Sequence, residues 1–253
     1  MNGEAAAMGR FRGRVGVRML CLCAALMLTG LAACAEGFVI APLPEGGVEI
    51  TGWSGDESEL SVPSEIDGER VAAIGARAFA GRKELERVVL PEGLERLGDG
   101  AFADCPGLEE ISVPASVTRV GENPFAGCES LKKLALADGG PYLEMINGVL
   151  FGDGGRRLIC CPRTLPMERY VVPEGTGRID PRAFSDCNRL VRIILPDSVT
   201  DIGADAFEGH ANLTLIVGRG SFAERYAREN GLKYNYTDAA EWLADDQSEE
   251  MGS

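Results

Sequence analysis

LGDGAFADCPGLEEISVPASVTRVGENPFAGC (97–128) holds AFADC at 101–105 and PFAGC at 124–128, a Phe three residues before a Cys that returns after 23 residues. The same period runs through VAAIGARAFAGRKELERVVLPEG (71–93), LERLGDGAFADCPGLEEISVPAS (94–116) and VTRVGENPFAGCESLKKLALADG (117–139). After a break it resumes in TGRIDPRAFSDCNRLVRIILPDS (176–198) and VTDIGADAFEGHANLTLIVGRGS (199–221). Ile74, Leu97, Val120, Ile179 and Ile202 share one column; Phe79, Phe102, Phe125, Phe184 and Phe207 share another; Leu85, Leu108, Leu131, Leu190 and Leu213 share a third. A fixed period of this length is the signature of a stacked array, because one such unit cannot bury its apolar face alone.

Each coil also carries a strand. In Glu110-Ile111-Ser112-Val113 the alternation turns Ile111 and Val113 inward, and Pro114 ends the run because it cannot donate to a ladder. The Gly of the Ile-Gly pair and the small residue before each Phe predict a tight corner. The Phe fills the centre of its coil and stacks on its neighbours, and Cys105, Cys128 and Cys187 read as small packed side chains beside it.

The break is partly regular. MERYVVPEG (167–175) copies LERVVLPEG (85–93), and EMINGVLFGDGGRRLICCP (144–162) reads as two strands around Gly152-Asp153-Gly154-Gly155, an inserted hairpin within 140–166. Cys160 and Cys161, being adjacent, are expected to point to opposite faces, one buried and one exposed. Residues 36–70 read as an N-terminal capping hairpin and first strand, and 71–221 as the repeat array. Residues 222–236 read as a C-terminal cap, with a short helix stopped by Gly231 and a closing strand LKYNY; 237–253 reads as a solvated acidic tail containing Trp242 and Leu243.

The pattern Ile-Gly-x-x-Ala-Phe-x-x-Cys-x-x-Leu-x-x-Ile-x-Leu-Pro-x-Ser-Val resembles the BspA-type leucine-rich repeat family of bacterial and protozoan surface proteins, over roughly 38–236. The resemblance implies a leucine-rich repeat solenoid: a β-rich right-handed superhelix of ~23-residue coils with a parallel strand ladder and short helical turns. It also implies an exported protein that binds a protein or glycan at a cell surface, in adhesion or recognition. Pro, not Asn or Cys, follows each strand, so no asparagine ladder is expected.

Residues 1–35 agree with export. Arg10, Arg12, Arg14 and Arg18 precede the apolar run MLCLCAALMLTGLAAC (19–34), which is the form of a secretory signal peptide and short for a membrane span. Leu31-Ala32-Ala33-Cys34 resembles a bacterial lipobox, which would lipidate Cys34; Ala33-Cys34-Ala35 also fits ordinary cleavage before Glu36. A lipid on Cys34 would be the only membrane attachment.

Chemistry is poorly represented. The formal net charge of −14 argues against nucleic acid, which needs clustered Lys and Arg. His210 is the only histidine, and the cysteine column supplies one Cys per coil rather than the paired Cys of a zinc site. Ser130-Leu131-Lys132-Lys133 matches Ser-x-x-Lys inside a repeat, without a second catalytic motif. Gly152-Asp153-Gly154-Gly155 has no Lys-Ser/Thr after it, so it reads as a turn rather than a phosphate loop. No enzyme, metal or cofactor is expected.

The strand face remains. Its outward columns are expected to run Glu59, Arg87, Glu110, Lys133, Arg169, Arg192, Leu215 and Ser61, Val89, Ser112, Ala135, Val171, Ile194, Val217. A basic stripe on an acidic chain, bordered by an apolar one, makes Arg87, Lys133, Arg169, Val171, Arg192 and Ile194 the candidate binding face. The alternative is a structural envelope spacer with no ligand of its own.

Overall fold

The computed structural model describes residues 33–35, 37–163, 165–185 and 187–239. Residues 19–32 of the expected signal peptide's apolar run and the tail positions Trp242 and Leu243 lie outside these residues. Cys34 has a described backbone, in the strand Ala33–Ala35, where it pairs with Val39.

The chain winds as a β-solenoid. Each coil contributes a front strand of three or four residues and a second strand of two, and both stack in parallel on the next coil. Glu59–Ser61, Arg87–Val89, Glu110–Val113 and Lys133–Leu136 form one front ladder; Arg169–Val171, Arg192–Ile194, Thr214–Val217 and Lys233–Tyr236 form another. Inside, the Phe rings stack: Phe79 on Phe102 at 4.9 Å between centroids, Phe102 on Phe125 at 6.1 Å, Phe184 on Phe207 at 5.6 Å. Trp53 of the N-terminal hairpin covers Phe79, and Tyr226 of the C-terminal helix Phe222–Glu229 covers Phe207, so neither end of the column meets water. Ser221 caps that helix by accepting from the Glu224 N–H, and Gly231 leaves it at φ 65°.

The tight corner lies one residue earlier than expected. Left-handed backbone falls two positions before the Phe, at Arg77, Gly100, Arg182 and Asp205. The residue directly before the Phe is instead small because it is buried, as Ala101 and Ala206 are.

The largest departure is the break. The sheet containing Phe38–Pro42, Val48–Trp53, Glu69–Ile74 and Arg96–Leu97 stops at Arg119–Val120, and a new one begins with Leu143–Ile146, Val149–Gly152 and Arg157–Cys160. The hairpin 143–160 is therefore a wall across the stack. Leu150, Ile159 and Cys160 pack into the N-terminal core; Val149, Phe151, Leu158 and Cys161 pack into the C-terminal core. Both Cys160 and Cys161 are buried, which corrects the expectation that one would be exposed. They do point to opposite faces, but each face of this strand meets a core.

At that wall, Cys161 takes the Phe position. Phe102 N–H donates to Pro124 O and Phe184 N–H to Ala206 O; Cys161 N–H donates to Ala183 O in the same relation. Tyr170, stacked obliquely on Phe184 at 5.9 Å, supplies the aromatic bulk from the front strand instead.

A polar clamp spans the break. In regular coils the carbonyls of Ile74 and Leu97 accept from the N–H groups of Gly98 and Gly121. Val120 O has no such coil above it and accepts from Arg157 Nη1 at 2.8 Å, while Gly121 O accepts from Arg157 Nη2 at 2.7 Å. Arg157 in turn forms a two-point pair with Asp180, at 2.8 and 2.6 Å. Asp180 is fully buried and also accepts from Asn123 N–H at 3.0 Å. Asp180 stands in the column of Gly75, Gly98, Gly121 and Gly203, where a side chain does not otherwise fit: a Cβ on Gly98 would lie 2.4 Å from Ala76 N, and one on Gly203 2.3 Å from Pro181 N.

Arg182, on the far side of the wall, reaches Asp104 at 2.9 Å. Its hydrogen bond, helped by Arg77 and opposed by slight burial, holds the Asp104 carboxyl below its ordinary range. A depressed folded-state value gives stability that is present above the unfolded pKa of about 3.9 and lost as pH falls through the folded one. Asp104→Asn is thus expected to lower the thermal midpoint slightly at pH 7 and to match the parent near pH 2, as calorimetry at the two pH values would read. An equal deficit at both would assign the effect to the side chain's shape.

Candidate functional site: the outward strand face

The register of the ladders sorts the front face into two different surfaces. In the N-terminal ladder Glu59, Arg87, Glu110 and Lys133 are successive partners, and the signs alternate. Arg87 pairs with Glu59, and Lys133 lies 3.7 Å from Glu110. Arg87 and Lys133 are thus parts of a locally neutral stripe.

The C-terminal ladder differs. Arg169 faces Arg192, Arg192 faces Thr214, and Thr214 faces Lys233. Three of four positions in this column are basic and none is acidic. Beside it run Val171, Ile194, Ile216 and Asn235. Val171 keeps 49% of its surface exposed, Ile194 is half-buried and Ile216 is buried. Where these strands end, a groove is lined by Val171, Pro173, Ile194 and Pro196, with Glu174 and Asp197 at its rim. Along the strand direction the face therefore passes from basic through apolar to acidic.

Two expectations are corrected here. The stripe is not continuous, because the hairpin wall divides it between Lys133 and Arg169. In the last coil, Thr214 and Ile216 take the outward places assigned to Leu215 and Val217, which are both fully buried. Other coils place an extra residue before the strand: Glu109 and Glu110 N–H both donate to Glu86 O, and Val191 and Arg192 N–H both to Glu168 O. The last coil lacks that residue, and a one-residue slip exchanges the faces of a strand. Lys233 was missed for the same kind of reason, since its strand carries no repeat signature to place it in the column.

The groups considered for chemistry have structural partners. Cys105 Sγ donates to Phe79 O and Cys128 Sγ to Phe102 O, both at 3.1 Å, and His210 Nε2 stands in the same place, 2.8 Å from Phe184 O. The column is thus a set of side chains that satisfy the carbonyl of the coil before. Burial pushes the Cys160 thiol up, away from nucleophilic use at neutral pH. Leu131 of Ser130-Leu131-Lys132-Lys133 is core, and Lys132 pairs with Glu109 at 2.6 Å. Gly152-Asp153-Gly154-Gly155 is the turn of the wall hairpin. Among the described residues no group of three His, Cys, Asp or Glu side chains could hold a metal ion, and no helix is long and apolar enough to cross a membrane.

Parallel strand ladders with one stacked aromatic per coil and capped ends define a leucine-rich repeat solenoid. The chain belongs to the BspA type leucine rich repeat family, whose model matches six copies over residues 60–153 and 160–225. Such solenoids are generally non-enzymatic scaffolds for protein interaction. Among solved structures, a leucine-rich repeat protein from Eubacterium ventriosum is 16% identical with a TM-score of 0.46, the match covering 73% of this chain and 65% of that one. The leucine rich repeat protein of T. pallidum is 24% identical with a TM-score of 0.44, covering 82% of this chain and 100% of that one. A leucine rich cell surface protein from Faecalibacterium prausnitzii is 18% identical with a TM-score of 0.40, covering 75% and 77%. No curated protein matches the chain.

Proposed function

We propose that this chain is an exported surface protein that binds a protein or glycan partner through its C-terminal front ladder, in adhesion or recognition. The observation that carries the reading is the basic column Arg169, Arg192, Lys233 beside the exposed Val171 and half-buried Ile194, on a chain of net charge −14. A basic column complements an anionic partner, and an apolar column beside it supplies contact area. The N-terminal ladder, with its alternating signs, lacks that complementarity. The basic and apolar segment 1–34 supports export, by lipid attachment at Cys34 or by free secretion.

A binding array of matrix proteins and glycans, probed with the purified chain, identifies ligands. Arg169→Glu with Arg192→Glu is expected to weaken them on the order of 10-fold or more. Arg87→Glu with Lys133→Glu should change them far less. Equal losses, or binding unchanged by the first pair, would remove the C-terminal ladder as the site. An array with no ligand at all would favour the envelope spacer.

A further inference from the structure

The thiol column meets one exception at the wall. Elsewhere the residue beneath each column thiol is a Phe whose carbonyl the sulfur contacts; Cys105 also lies 3.8 Å from Ala103 O, and the Cys105 and Cys128 thiols interact from one coil to the next. Cys187 makes the same contact with Cys161 O at 3.2 Å, but Cys161 stands where the Phe would be and brings a second sulfur. The two Sγ atoms lie 2.8 Å apart, and both side chains are almost wholly buried. This is a diagonal relation between neighbouring coils, unlike the in-register relation of Cys105 and Cys128.

We infer that Cys161 and Cys187 form a disulfide when the chain folds under oxidising conditions. The Sγ–H bonds of both residues break, an Sγ–Sγ bond forms, and two protons leave. The two electrons pass to the disulfide of an exchange partner, such as oxidised glutathione or a dithiol oxidoreductase, which is reduced to two thiols. A bonded pair would sit at ~2.05 Å, so the sulfurs have little distance to close. The hydrogen bond with the Cys187 thiol, and then burial, hold Cys161 protonated in the finished fold, so exchange is fast only while the chain is still open. The bond would tie the wall hairpin to the first coil beyond it across 26 residues. Closing a loop of that size shifts an unfolding equilibrium on the order of 10²-fold.

The full chain is refolded in a glutathione buffer poised to oxidise, alkylated under denaturing conditions and digested with trypsin without reduction. The expected product is peptide 158–163 joined to peptide 183–189. It should persist in Cys160→Ala and vanish in Cys161→Ala, which fixes the sulfur used. Reduction of the parent should lower its urea midpoint. Full alkylation of Cys161 and Cys187, a link from 158–163 to the Cys128 peptide 120–132, or a link that survives Cys161→Ala would each overturn the assignment.

Discussion

Asp180→Ala is expected to destabilise the fold by about 3–5 kcal/mol, the range for removing one partner of a buried ion pair. The carboxylate is fully buried, and three groups depend on it: the Arg157 guanidinium at two points, the Arg178 Nε at 3.2 Å and the Asn123 N–H. Without it Arg157, whose side chain is 13% exposed, would stay charged at the wall with no carboxylate in the clamp, held by the Val120 and Gly121 carbonyls and Tyr142. Because Arg157 is what satisfies those carbonyls, the loss falls on the contact between two halves that have separate cores. Stability in a stacked array is approximately a sum of coil and interface terms. Urea unfolding followed by circular dichroism should therefore split into two transitions, or move to a lower midpoint with a shallower slope. Asp180→Gly makes the test sharper. It restores the glycine found at Gly75, Gly98, Gly121 and Gly203, so repeat consensus alone expects a neutral or stabilising change. The clamp expects a loss. A parent-like midpoint for Asp180→Gly would mean the clamp contributes nothing.

Phe102→Ala should cost a similar ~3–5 kcal/mol for a different reason. Its ring is fully buried between Phe79 at 4.9 Å and Phe125 at 6.1 Å, so truncation leaves a void that rings on either side cannot close without moving two coils. Phe125→Ala should cost less, because on its outer side its core continues into the wall residues Leu150, Ile159 and Cys160, not another ring. Equilibrium unfolding of the two variants gives the comparison. Equal losses would mean that the ring column stabilises by burial alone, with nothing from its stacking.

These two sites mark how far the sequence is informative. The 23-residue spacing of Phe79, Phe102 and Phe125 is itself the coil length, so the stack, its filler and its strand alternation follow from it directly. Ser221 and Gly231 announce the capping helix, and Pro114 the strand end, by local backbone chemistry that does not depend on neighbours. Asp180 was visible as a departure from a column of glycines, yet its meaning was not, because the sequence does not say that Arg157 would stand opposite. The outward face of the C-terminal ladder was half legible: Arg169, Arg192, Val171 and Ile194 follow from repeat phase, and Lys233 does not.

By itself, then, the sequence determined the solenoid, its period, its aromatic column and its capped ends, because each is a periodic or local property. The tertiary structure alone decided that the hairpin 143–160 is a wall with both faces buried, that the front ladder is two ladders, and that the last strand is slipped by one residue. It also decided that Cys161 meets Cys187. Periodicity gives the spacing of residues within a coil, but which side chains face each other across a break depends on how the chain leaves one coil and enters the next.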